Sequence, residues 1–149
     1  MTMIEEGKVD RVYVIRLDDG KKVISTLQDI LKKRGIRNGC LTMIGAVRNL
    51  EIKTPNPTTK EHYTDKISDN MEIMAAGNIS VDGSEIFIHL HATTGKKGGS
   101  AFTGHVVEAE VHDFVEIIIT TFSGLNLVRK KDRETGLVML VANRSDGEQ

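Results

Sequence analysis

Only one stretch of this 149-residue chain repeats its apolar side chains at helical spacing, and that limits the fold more than any other feature. Val23, Ile24, Leu27, Ile30 and Leu31 recur at the helical period, with Lys21, Lys22, Gln28, Asp29, Lys32 and Lys33 between them. The spacing predicts an amphipathic helix with one face on a sheet. It ends near Gly35, with Lys32, Lys33 and Arg34 in a last turn whose dipole favours cations. Leu17-Asp18-Asp19-Gly20 ahead of it is turn chemistry, and Asp18 or Asp19 is the expected cap.

The remainder reads as strands and turns. Val9 to Arg16 is β-branched and aromatic. Leu41 to Ile44 is apolar and runs on through Gly45-Ala46-Val47, and Leu50 to Lys53 alternates. Met71 to Ser80 is a strand interrupted by Gly77, and both Gly45 and Gly77 predict close backbone approaches. Val81-Asp82-Gly83-Ser84 predicts a hairpin turn into a return strand, Ile86 to Ala92. Val106 to Val111 and Val115 to Phe122 are further strands. Asn126 to Val128 and Leu137 to Val141 flank a polar turn at Arg129 to Gly136. Thr54 to Thr59, with Pro55 and Pro57, and Gly95 to Gly104 read as loops, and Ser145 to Gln149 as a frayed tail.

Short turns favour antiparallel pairing. The expected class is therefore α/β of the α+β type: a mainly antiparallel, twisted sheet with one principal N-terminal helix. No linker divides residues 1–149, so one domain is expected, with its core between about residues 9 and 142. One helix cannot cover both faces of a large sheet. The uncovered face must curl into a barrel-like sandwich or meet another subunit.

Aromatic residues make up only 4% of the chain, so the core must be built from Val, Ile, Leu and Met. A formal net charge of -1 gives no global attraction for a polyanion, so nucleic-acid binding would need a local basic patch. The single cysteine, Cys40, excludes an intramolecular disulfide and a C-x-x-C metal knuckle, and is expected as a small buried hydrophobe. The N-terminal residues hold no apolar stretch of signal-peptide length, and no run reaches the length of a membrane span. A cytoplasmic protein without membrane contact is expected.

The chemistry gathers between Phe87 and His105. Alternate strand residues share a face, so His89 and His91 project together while Ile88 and Leu90 point into apolar surroundings. The glycine-rich stretch that follows brings the chain back, and His105 is placed opposite that pair. Three converging imidazoles suit a divalent metal, zinc or iron first, with a coordination position left open. The competing reading is three histidines hydrogen-bonded in a polar cleft or subunit interface. Glu72, Asn78, Gly104 and Glu108 are candidates to surround the site, and Glu72 or Glu108 could act as general base or outer-shell partner. His62, beside Tyr63, and His112, before Asp113, lack comparable partners and are left out.

Other features are weaker. Gly95-Lys96-Lys97-Gly98-Gly99 lacks P-loop spacing and reads as solvated loop lysines. Arg129, Lys130, Lys131 and Arg133 form a small basic cluster broken by Asp132 and followed by Glu134. It reads as a wet hairpin tip first and a nucleic-acid patch second.

These motifs, in this order, resemble the plants-and-prokaryotes conserved (PPC) domain, also known from plant nuclear proteins that carry AT-hooks. Arg16 to Gly20 resembles the opening strand-turn, and Met43 to Val47 the glycine-containing strand after the helix. Glu72-Ile73-Met74 with Gly77-Asn78-Ile79 resembles the Glu-Ile-Leu and Gly-Asn-Ile stretch. His89-Leu90-His91 and Gly104-His105-Val106 resemble the histidine signature, and Val107 to Glu110 the following strand. The resemblance covers about residues 10–122. Thr103-Gly104-His105 stands where the family has Gly-Gly-His, and the Arg-Gly-Arg-Pro hook that contacts the minor groove is missing. The resemblance implies a mixed α/β fold with a mainly antiparallel sheet, a homotrimer, and self-association or binding of a protein partner. Direct DNA binding rests on family architecture alone. The leading expectation is a trimeric binding or regulatory module with a three-histidine metal or small-ligand site. A small metal-dependent hydrolase using metal-activated water is the alternative.

Overall fold

The structure is a computed structural model and describes residues 3–56, 58–59 and 61–144. Within them the elements run β1 (Lys8–Asp18), α1 (Val23–Arg34), β2 (Gly39–Pro55), β3 (His62–Ile67), β4 (Met71–Asp82), β5 (Glu85–Gly95), β6 (Ala101–Ser123), β7 (Leu125–Lys131) and β8 (Val138–Arg144). This is the expected α+β class, mostly sheet with one short helix. The expected tail at 145–149 and Pro57 lie outside the described residues. Among the described residues no helix is long and apolar enough to cross a membrane.

The sheet closes on itself. β2 pairs with both β4 and β6, β4 with β5, and β5 with β6, all antiparallel. That ring is the barrel-like curl that burial demands of a sheet with a single helix. β1 extends it through β6 and β3 through β2, while the β7–β8 hairpin joins the end of β4 at Val81 and Val128. Alternate residues such as Met43, Ile73, Leu90 and Ile117 meet Val23, Leu27 and Leu31 of α1 in one core.

Two strands are longer than their sequence segments. β2 and β6 each run through two of them, because the backbone bends there without ending. Asn49 and Asp113 adopt positive φ (50° and 62°), and the β2–β6 register shifts near Gly45 and again between Arg48 and Ile52. Arg48 ties the bends together. Its Nε donates to Glu110 Oε1 at 2.7 Å, and its Nη1 lies 3.3 Å from Asp19. The polar strand β3 has only Ile67 buried, so it carries no apolar alternation to reveal it. The glycine-rich segment shrinks to Lys96–Ser100, since β5 reaches Gly95 and β6 starts at Ala101.

The helix start differs from expectation. Asp19 does not cap it; its Oδ1 accepts the Asp113 N–H at 3.0 Å, pinning the β6 bend. Lys22 occupies the cap position and has no side-chain acceptor to offer. Glu108 supplies the carboxylate from β6, accepting from Ile24 N (2.8 Å), Ser25 N (3.1 Å) and the Ser25 hydroxyl. A carboxylate there also suits the positive end of the helix dipole. Glu108→Ala is expected to cost about 1–2 kcal/mol, read as a lowered melting midpoint, and Glu108→Gln less because an acceptor remains. The helix end follows the sequence: Gly35 is left-handed (φ 68°), and Ile36 N donates to Leu31 O at 2.9 Å.

Gly45 and Gly77 sit at the close approaches expected of them. A Cβ on Gly45 would lie 2.8 Å from Val115 Cα, and one on Gly77 would strike the His89 carbonyl and lie 2.9 Å from Leu90 Cα. Cys40, expected buried, is exposed. It shares the outward face of β2 with Thr42 and Ile44, alternating with buried Leu41 and Met43.

Candidate metal centre

β5 alternates as its sequence requires. Ile88 and Leu90 are buried, which turns His89 and His91 to the outer face of the ring. His105, near the start of β6, is the cross-strand partner of His91, and Lys53 of β2 flanks it on the other side. The three rings converge. Their centroids are 4.9 Å (His89–His91), 5.2 Å (His89–His105) and 5.6 Å (His91–His105) apart. One ring nitrogen from each lies within 4.8 Å of the others.

The donor set fits a borderline divalent metal. The Nε2 atoms of His89 and His91 are 3.2 Å apart. Two nitrogens held tetrahedrally at about 2.0–2.1 Å from zinc stand roughly 3.3 Å apart. A ligand must also be neutral to offer its lone pair. Burial, then the charges of Arg129, His105 and His91, lower the His89 pKa to about 4. Burial first, then His91, Lys53, His62 and Arg129, lower that of His105.

The remaining sequence candidates separate. Asn78 is the cross-strand partner of His89 and lies beside the site. Gly104 is buried, and a Cβ there would come 2.9 Å from Lys53 O, so its role is close packing next to His105. Glu108 is engaged at the helix start. Glu72 pairs with Gly95, four residues along the ladder from the Ala76–His91 pair, beside a surface hollow with Lys96 and His112. Among the described residues the cluster holds no carboxylate.

The basic cluster also divides. Lys130, Lys131 and Arg133 are exposed, but Arg129 is only 8% exposed. It packs against the outer face of β4 and β5, and like Leu127 at the alternate position of β7 it is buried. Its Nε donates to Ser80 Oγ at 2.9 Å, its Nη2 donates to Asn78 Oδ1, and its guanidinium carbon lies 4.8 Å from the Phe87 ring centroid. Reading the run as a charge cluster hid this residue; the two-residue period from Leu127 was the signal that could have found it.

A three-histidine face on a closed, mainly antiparallel sheet with one helix defines the class of protein. The model of the Plants and Prokaryotes Conserved domain matches residues 4–123, and the chain belongs to that family. Similar solved structures include a metal-containing protein from Archaeoglobus fulgidus, 30% identical, with TM-score 0.86 over 94% of this chain and 99% of that one. A plant- and prokaryote-conserved protein from Pyrococcus horikoshii is 26% identical, with TM-score 0.83 over 99% and 100%. A protein from Bacteroides thetaiotaomicron, provisionally described as DNA-binding, is 26% identical, with TM-score 0.81 over 91% and 96%. No curated protein sequence matches the chain.

Proposed function

We propose that this protein is a homotrimeric binding module that holds a divalent metal, zinc or iron, on His89, His91 and His105. The convergence of three ring nitrogens within 4.8 Å carries the reading. The metal-containing relative from Archaeoglobus fulgidus supports it. Bound there, the metal supplies a Lewis-acidic cation that draws polar or anionic ligands. The chain's own part is to orient the rings through the β5–β6 pairing and, by burial, to lower the pKa values of His89 and His105.

Self-association is supported by the outer face itself. Val14 pairs with Ile118, Ile118 with Thr42, and Ile44 with Met74, so one apolar patch crosses four strands. Val14, Ile118, Ile44 and Met74 are 78%, 49%, 52% and 70% exposed. A contiguous apolar patch of this kind marks an association surface. The same face carries the histidines, since Thr42 pairs with Ala76 and Ala76 with His91.

The hydrolase alternative lacks support from the acids: Glu108 is committed to α1 and Glu72 lies along the ladder, so neither carboxylate joins the rings. DNA binding is weakened by the loss of Arg129 from the surface patch, which leaves Lys130, Lys131 and Arg133 among Asp132 and Glu134. Elemental analysis and solution mass test the proposal together. The expected result is about one zinc or iron per chain in a particle of three times 16.5 kDa. A monomer, or protein that takes up neither metal after dialysis against each, would remove the corresponding half.

A further inference from the structure

The least expected charge in the molecule is Arg129. A guanidinium cannot shed its proton in a protein, so burying one demands compensation. Among the described residues the compensation is neutral: the Ser80 hydroxyl, the Asn78 carbonyl and the face of Phe87. Asp82 is the acid whose charge reaches it, without forming an ion pair among the described residues. Ser80 and Asn78 take up Nε and one N–H of Nη2. The other N–H of Nη2 and both of Nη1 have no hydrogen-bond partner among the described residues, and together they form the fork that grips an oxyanion with two parallel hydrogen bonds.

Its place in the fold ties that fork to the histidines. Asn78, which holds Nη2, is the cross-strand partner of His89. Phe87, which lies under the guanidinium, is two residues before His89 on the same strand, with ring centroids 6.3 Å apart. A guanidinium held beside the histidine nitrogens adds a fixed positive charge to the site, and a divalent metal on the rings would add more, so the uncompensated charge favours an anionic ligand.

We propose that the histidine centre takes a small anionic ligand and that Arg129 receives its carboxylate or phosphate oxygens. The inference rests on the metal reading, with the metal and the guanidinium holding two ends of one ligand. Arg129 also carries weight without metal, because its unused N–H groups are present in the metal-free chain. A duplex is a poor candidate for the same fork, because Arg129 is 8% exposed and a phosphodiester backbone binds from the surface.

The test is calorimetric titration of the zinc-loaded protein with malonate and with inorganic phosphate, which separates carboxylate from phosphate sources. At least one should bind saturably. Arg129→Gln should weaken it by about tenfold or more with zinc content unchanged, and Arg129→Lys, which keeps the charge and loses the fork, should fall between. Arg129→Lys serves alone if the glutamine variant does not fold. If the protein takes up no zinc, the metal reading fails separately, and the metal-free protein should still show the anion binding and its loss in the variants. Wild-type protein that binds neither anion, or variants with wild-type affinity, overturn the proposal. So does a variant whose solution mass changes while no anion binds, since Arg129 would then serve the interface. Duplex DNA binding with the same Arg129 dependence, in the absence of malonate or phosphate binding, would show the ligand class to be wrong.

Discussion

Gly77→Val is expected to destabilise the protein by about 3 kcal/mol or more, read as a large drop in the melting midpoint. The reason is backbone, not side-chain, crowding. A Cβ at residue 77 would strike the His89 carbonyl and come 2.9 Å from Leu90 Cα. Neither can move aside as a flexible side chain would, because both belong to a strand fixed on two sides. The β4–β5 ladder runs unbroken from Glu72–Gly95 to Asp82–Glu85, so a shift at one pair propagates to its neighbours. His89 is part of the strand that would move. Gly77→Ala, if it folds, should therefore also weaken metal uptake without removing a ligand. Gly95→Ala is the control: it lies on the same pair of strands, nothing stands within 4 Å of its Cβ position, and its effect should stay within about 0.5 kcal/mol. Equal melting midpoints for Gly77→Val and wild type would show that the close approach is not there.

The difference between what the sequence revealed and what it hid follows from the range of each interaction. The alternation of Ile88 and Leu90 with His89 and His91 is local, so the outward pair was legible from four residues. His105 required a hairpin return, which the glycines between Gly95 and Gly104 made readable. Helix α1 was legible from its apolar spacing and from Gly35. Its cap was not, because Glu108 lies 84 positions beyond Ile24 and no local pattern announces it. Asp19 had the right chemistry and neighbourhood for a cap, yet the bend at Asp113 claimed it. Cys40 was misread for a similar reason: an apolar run such as Cys40 to Ile44 looks buried throughout, while a ring exposes every second member. Arg129 shows the reverse, a charge hidden within a run of surface charges. The outward apolar patch also belongs here, since Val14, Ile118 and Met74 look like core residues until pairing puts them on one uncovered face.

Replacing His105 by alanine is expected to weaken metal binding by at least about 100-fold. Loss of an outer-shell partner already costs about 10–100-fold, and this change would remove one of the three proposed ligands. His62→Ala makes the matched control. His62 is exposed on edge strand β3 and outside the cluster; only its charge reaches His105, so any change in metal affinity should be far smaller than that of His105→Ala. Competition with a zinc indicator separates the two; similar affinities for both variants would end the ligand assignment. Acidity supplies an independent check. In the unfolded chain His89 titrates near 6.5, but in the folded chain burial and the Arg129 charge bring it to about 4. Between those values the unfolded state binds more protons than the folded state. The contribution of His89 to metal-free stability is then fully present above about pH 6.5 and is lost progressively as pH falls towards about 4. His89→Ala should flatten that part of the stability profile, measured by urea midpoints across the same range. A wild-type profile that stays level from pH 6.5 to 4 would mean that the ring is more solvated than its neighbours allow, and the case for His89 as a ready neutral donor would fail with it.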